Sequence, residues 1–263
     1  MLVLRYRLAI GLGALAALAA AAPTQAAPPR QTGSLMYTSK KPGASTGNRF
    51  HFDFQNPDDP SQKPYAVASM VIHSPPGSFV DTSVRPRCQA SDAELMVQGP
   101  SGCPSNTRVG GGFVISDTGG GGPTPRFTRT TINDFNGDHE IIGVGVNDDI
   151  PAIKSVDHTK IKGNTTSTVF PVFPGFPPPE PYTPFKTLHF EFAAFASGGH
   201  PYMRTPPTCP KVGYWTFKVD FTYHDGVTQT AESHSPCRRR KKRAHKKRRR
   251  GHSHRHADRE DRD

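Results

Sequence analysis

Trp215-Thr216-Phe217-Lys218-Val219-Asp220-Phe221-Thr222-Tyr223-His224 is the stretch that decides the fold class. Five apolar residues alternate with five polar ones, the period of two that turns one strand face to a core and the other to water. Asp225-Gly226 follows as a two-residue hairpin signal, and residues 227–233 read as the returning strand. With that turn, Tyr214 would lie opposite Cys237, and residues 210–213 would have to curl Cys209 back within disulfide reach.

The same period recurs upstream. In residues 49–55, Phe50, Phe52 and Phe54 alternate with His51, Asp53 and Gln55, and Asn56-Pro57-Asp58-Asp59-Pro60 ends the strand. Residues 65–73 form a more continuously apolar strand, closed by Ser74-Pro75-Pro76-Gly77. Further strands are expected at 113–116, 126–132, 141–146, 168–173 and 188–195. Between Cys88 and Cys103 the period changes: Ser91-Asp92-Ala93-Glu94 has the form of a capping box, and Gly99 follows Leu95, Met96 and Val97, which predicts one short helix. With 27 prolines, 25 glycines and 34% hydrophobic residues, the composition favours short strands and many turns over a helical fold. The expectation is a mainly β chain, a single antiparallel β-sandwich with one short helix over residues 27–237, with which a jelly-roll arrangement is compatible. Residues 27–33 are expected to stay loose, and Gly110-Gly111-Gly112 and Gly119-Gly120-Gly121-Gly122 to be flexible loops, since neither cluster carries the Lys-Ser/Thr of a phosphate loop.

Arg5 and Arg7 precede an apolar run of about 15 residues, 8–22, that breaks at Pro23 before the small residues Thr24-Gln25-Ala26-Ala27. That pattern predicts a cleavable signal peptide over residues 1–26 and a secreted, extracellular or cell-surface protein, because the run is short of the ~20 residues that span a bilayer. Four cysteines, Cys88, Cys103, Cys209 and Cys237, all follow it, and an even count in an oxidising compartment reads as two disulfides. Three connectivities are open. Cys88–Cys103 with Cys209–Cys237 is favoured, since each pair brackets a local unit, and no CxxC spacing points to zinc.

The formal charge of +11 is concentrated at one end. Residues 238–263 hold 14 Lys and Arg against 4 Asp and Glu, whereas residues 1–237 hold 19 against 18. Arg238, Arg239, Arg240, Lys241, Lys242, Arg243, Lys246, Lys247, Arg248, Arg249 and Arg250 run almost without interruption, with nothing apolar to fold them, and read as a disordered tail. Outside a cell its partners would be anionic wall polymers or a membrane surface, with nucleic acid bound only non-specifically. His252, His254 and His256 add a weak transition-metal site at most.

Residues with the makings of a chemical site are few. Gly43-Ala44-Ser45-Thr46-Gly47 matches a nucleophile elbow in letters, but Lys40-Lys41-Pro42 precedes it where a strand is required, so Ser45 is expected in a loop. Asp134, Asn136 and Asp138 are spaced as calcium ligands, but Ile142 stands at the ninth position and an Asn-Gly-Asp turn explains them as well. His51 and Asp53 share one polar strand face and His189 and Glu191 another; were the strands neighbours, two imidazoles and two carboxylates would meet, as mixed metal ligands or as the carboxylate pair of a glycosidase. Alternation alone produces the same spacing, so the face is expected to be solvated and non-catalytic. The Phe- and Pro-rich residues 170–179 would be a crossover packed on the sheet, or aromatics for a carbohydrate or protein partner.

Gly47-Asn48-Arg49-Phe50-His51-Phe52-Asp53-Phe54, Cys88-Gln89-Ala90-Ser91-Asp92, Thr205-Pro206-Pro207-Thr208-Cys209-Pro210, Tyr223-His224-Asp225-Gly226 and Ser235-Pro236-Cys237 together resemble an uncharacterised family of exported, two-disulfide β-rich proteins from high-GC Gram-positive bacteria. The resemblance covers nearly all of residues 33–237 and implies domain limits and a cysteine framework, but no activity. The function expected is a secreted or surface non-catalytic binding module, without a cofactor, whose tail attaches to anionic polymers. The competing expectation is a secreted carbohydrate-active enzyme using Asp53 and Glu191.

Overall fold

The computed structural model describes residues 28–120, 125–172 and 182–238. The expected signal peptide, the basic residues from Arg239 onward and most of the Phe- and Pro-rich segment lie outside them. In chain order the described strands are β1 (Gln31–Tyr37), β2 (Asn48–Phe54), β3 (Val67–His73), β4 (Phe79–Val80), β5 (Arg108–Asp117), β6 (Phe127–Asn136), β7 (Glu140–Asn147), β8 (Lys154–Lys162) and β9 (Thr165–Val169). They continue as β10 (Phe185–Phe192), β11 (Ala196–Ser197), β12 (His200–Pro201), β13 (Met203–Arg204), β14 (Tyr214–Tyr223) and β15 (Thr228–Pro236), and the one α-helix among the described residues, α1, is Asp92–Gln98.

Eleven strands form one antiparallel sheet in the order β1-β2-β10-β5-β6-β7-β8-β9-β3-β14-β15. Its two edges come back together: the Leu35 N–H donates to Ser233 Oγ at 2.9 Å and the Tyr37 N–H to Ser235 Oγ at 3.0 Å. Serine hydroxyls of β15 thus occupy backbone donors that an open edge would leave exposed. The result is mainly β, a curled, barrel-like sheet whose opposite walls face one another as sandwich layers do.

The alternating face of β14 fills the interior. Trp215, Phe217, Val219, Phe221 and Tyr223 are each at most 2% exposed, and the Phe221 ring meets Phe52 and Phe54 at 5.1 and 5.3 Å. Each such side chain contributes roughly 1.5–3 kcal/mol by leaving water. The hairpin register differs by one residue from the expected one: Tyr214 lies opposite Pro236, not Cys237. Gly226 at φ 84° and the bond from the Tyr223 N–H to Val227 O at 2.9 Å make the loop three residues long, with a glycine bulge. The Cys237 N–H instead meets Gly213 O at 2.9 Å, which brings Cys237 to Cys209.

A second core sits on the outer face of β6, β7 and β8, where Leu95 of α1 packs with Phe135, Ile142 and Val144. The capping box forms as read, with the Glu94 N–H on Ser91 Oγ and the Ser91 N–H on the Glu94 carboxylate. The Cys88–Cys103 disulfide ties down the ends of this unit. His158 of β8 bridges Asp92 of α1 and Glu140 of β7 at 3.0 Å each; burial lowers its pKa, but the two carboxylates raise it more. Both disulfides are the locally paired ones, and they fit an oxidising, extracellular setting.

Three local expectations are corrected. Residues from Gln31 onward are not loose but form β1, and β8 was not anticipated at all. Gly110, Gly111 and Gly112 are not a flexible loop but the middle of β5, where a Cβ on Gly112 would lie 1.8 Å from the His189 backbone oxygen. That approach is open only to glycine.

Candidate binding cavity

The strand adjacency on which the polar cluster depended is present. β2 and β10 are neighbours, and His51 stands directly opposite His189, with the two Nδ1 atoms 3.3 Å apart. Asp53 accepts from Thr187 Oγ1 at 2.7 Å and contacts His51 Nε2 at 3.2 Å, while Glu191 pairs with Arg49 at 3.3 Å. Phe113 stacks on His189, and the Arg129 guanidinium lies over Phe113. All of this is on the outward face: the Asp53 and Glu191 side chains are 52% and 55% exposed. Glu191 and Arg49 rim an open groove shared with Arg85 and Arg108, while Asp53, His51 and His189 do not line it. Among the described residues, no group of three His, Cys, Asp or Glu is placed to hold a metal ion.

The calcium-like spacing does not close into a loop. Asn136 donates through Nδ2 to the carbonyls of Thr82, Arg85 and Pro86, and Asp138 pairs with Arg87 at 3.0 Å. Ser45 is exposed, and its hydroxyl donates to Phe195 O at 3.3 Å. Phe170 packs edge-on against Phe185.

Asp134 goes elsewhere, and with it the most distinctive feature of the molecule. On β6 it is in phase with the core residue Ile132, so it points into the barrel. It lies opposite Gly143 of β7, which lies opposite Asp157 of β8, so two carboxyls flank one glycine across three strands. A Cβ on Gly143 would sit 2.3 Å from Asp157 Oδ2, so the glycine makes the room that the carboxyl fills. Both acids line an interior cavity of about 110 Å³. Its walls are largely aromatic and aliphatic, including Phe50, Phe190, Phe192 and Met70, and its lining reaches the surface at the exposed Gly163 and Asn164 between β8 and β9.

Neither carboxyl has a hydrogen bond or ion pair among the described residues, and Asp134, 5% exposed, leaves Oδ2 wholly unpartnered. Asp157 lies deep in the protein yet keeps accessible surface, because it faces the cavity. The Tyr37 hydroxyl also faces the cavity, near Ser74 and Ser78 but without a hydrogen bond of normal geometry. By contrast Asp117, equally buried, is gripped by Arg126 at 3.1 and 3.2 Å. Burial, and then the charge of Asp157, push Asp134 well above its ordinary value, against the pull of Arg108. Burial pushes Asp157 up to about 6, opposed by His158. Unpaired buried acids cost stability, so a pair that a glycine makes room for points to a site rather than to packing. No protein-family model, curated protein or solved structure matches the chain.

Proposed function

We propose that this chain is an exported, non-catalytic binding protein that takes a small molecule into the interior of its barrel and is held at anionic surfaces by residues 238–263. The Asp134–Asp157 pair facing an otherwise apolar cavity carries the first half of this reading. A mostly apolar hollow with a few convergent polar groups is the usual form of a small-molecule site, and its size leaves room for about eight water-sized groups, taking ~10–15 Å³ for each. The exposed His51/His189 face has its carboxylates already engaged and lacks a water-excluding cleft around them, which favours binding over glycosidic chemistry.

Benzyl alcohol is a suitable neutral probe of the cavity. At millimolar concentration it should raise the melting temperature of the mature protein, and Ile72→Phe, which fills the cavity from β3, should remove that increase. Equal shifts in both proteins would place the probe elsewhere. The tail holds no apolar residue larger than Ala244 and Ala257, so truncation after Cys237 should leave the melting temperature within a few degrees while abolishing salt-sensitive retention on heparin. Retention of the truncated protein with the same salt dependence would assign polyanion binding to the barrel surface.

A further inference from the structure

The cavity lining is selective in charge. Its described residues include two carboxyls and no Lys, Arg or His. Its remaining polar groups are hydroxyls and amides such as Tyr37, Asn48, Thr159 and Thr168, and Asn48 also leaves its buried Oδ1 without a donor. The interior therefore offers acceptors in excess of donors. Six phenylalanines, among them Phe50, Phe190 and Phe192, surround this space, and ring faces attract cations while tolerating an apolar body. An anion would meet two acids and no counter-charge; a neutral apolar molecule would leave both carboxyls unsatisfied.

We propose that the cavity is a site for a small organic monocation, a protonated amine with a compact apolar body, whose N–H groups are held between Asp134 and Asp157. This rests on the reading of the barrel interior as a ligand site. The amine supplies the donors that Asp134 Oδ2 and Asp157 lack and the positive charge that like-charged carboxyls on either side of Gly143 require. Its body, limited to roughly eight non-hydrogen atoms by the volume of the cavity, lies against the aromatic wall.

Binding is then linked to protons. The groups that act on the pair are each other across β7, Arg108 on β5 for Asp134, and His158 on β8 for Asp157. Tyr202, ahead of β13, feels Asp134, and the neutral Tyr37 phenol faces the cavity from β1. A cation needs an ionised carboxylate, so affinity holds above the Asp157 midpoint near 6 and falls below it, by about tenfold at pH 5.

Isothermal titration of the full mature chain with benzylammonium chloride and with benzyl alcohol, at pH 7.5 and 5, tests this. The wild type should bind benzylammonium more tightly than the alcohol at pH 7.5, and Asp157→Asn and Asp134→Asn should each weaken the ammonium at least tenfold while moving the alcohol less than about threefold. Equal affinity for the two probes, or ammonium binding indifferent to both substitutions, overturns the cation assignment while leaving the interior a ligand site. Failure of both probes to bind overturns the ligand site and the cation assignment together.

Discussion

Asp157→Asn should make the folded chain more stable at pH 7.5 by about 3 kcal/mol, an unusual direction for a buried substitution. The folded state holds the Asp157 proton up to about pH 6, against an ordinary value of 3.8. Between those values the unfolded chain binds fewer protons than the folded one, so this group's contribution to stability falls as pH rises from about 4 through 6. Above 6 the full penalty of a buried, unpaired carboxylate is present. Asparagine carries no charge at any of these pH values and removes the penalty. Urea unfolding at pH 4.5 and 7.5 should show the wild type losing stability over that interval and the variant losing much less, the remaining slope including Asp134, which burial pushes the same way, and His158, whose raised pKa makes its ion pairs weaken as pH rises past its ordinary value. A variant less stable than wild type at pH 7.5 would mean that Asp157 has a partner in the folded state. Set beside the expected loss of ammonium affinity, the gain would be a stability–function trade at one side chain.

Gly112→Ala should destabilise the protein by about 3 kcal/mol or more, seen as a lower urea midpoint with little change in slope. In a flexible loop the same change would be neutral or slightly stabilising, since it only restricts the unfolded chain. Here the added methyl points at the His189 carbonyl of β10 from a distance no carbon can occupy, so β5 and β10 must separate. β10 holds Phe190 and Phe192 against the cavity, and the substitution should also abolish any benzyl alcohol shift. An unchanged midpoint would return residues 110–112 to the loop that their composition suggests.

The readable parts of the sequence are those where one strand face meets the core and the other meets water. β2 and β14 obey that rule, and both were legible to within a residue or two, as were the capped helix and the two local cysteine pairs. β8 does not obey it. Its apolar residues, Val156 and Ile161, pack on opposite faces, one under α1 and one in the barrel, while its other inward positions Ser155, Asp157 and Thr159 are polar. A strand covered on both faces and bordering a polar patch has no two-residue hydrophobic period to detect. The hairpin register slipped because Asp-Gly signals a turn without fixing whether the loop has two residues or three.

The site was half visible. Asp134 is spaced from Asn136 and Asp138 as a calcium ligand would be, yet its informative relation is to Ile132, two residues earlier on the same face: an acid in core phase. Asp157 carried the same signal relative to Ile161, hidden because its strand was not recognised. Gly143 completes the arrangement through cross-strand register, which alternation within one segment cannot supply. Alternation made it legible that His51 and His189 each lie on a polar, solvated strand face, but that β2 and β10 are neighbours, which brings the two together, is a matter of cross-strand pairing.

The most direct measurement is a carbon-13 NMR titration of the aspartate carboxyls in the folded chain, from pH 3 to 8, with and without saturating benzylammonium. The carboxyl of Asp157 should titrate near pH 6 in the empty protein, with Asp134 also far above the surface aspartates, and benzylammonium should move both toward the ordinary carboxylate range. Carboxyls of Asp134 and Asp157 that titrate with the surface aspartates, or that keep their midpoints when the ammonium is added, would contradict a buried acid pair built to hold a cation.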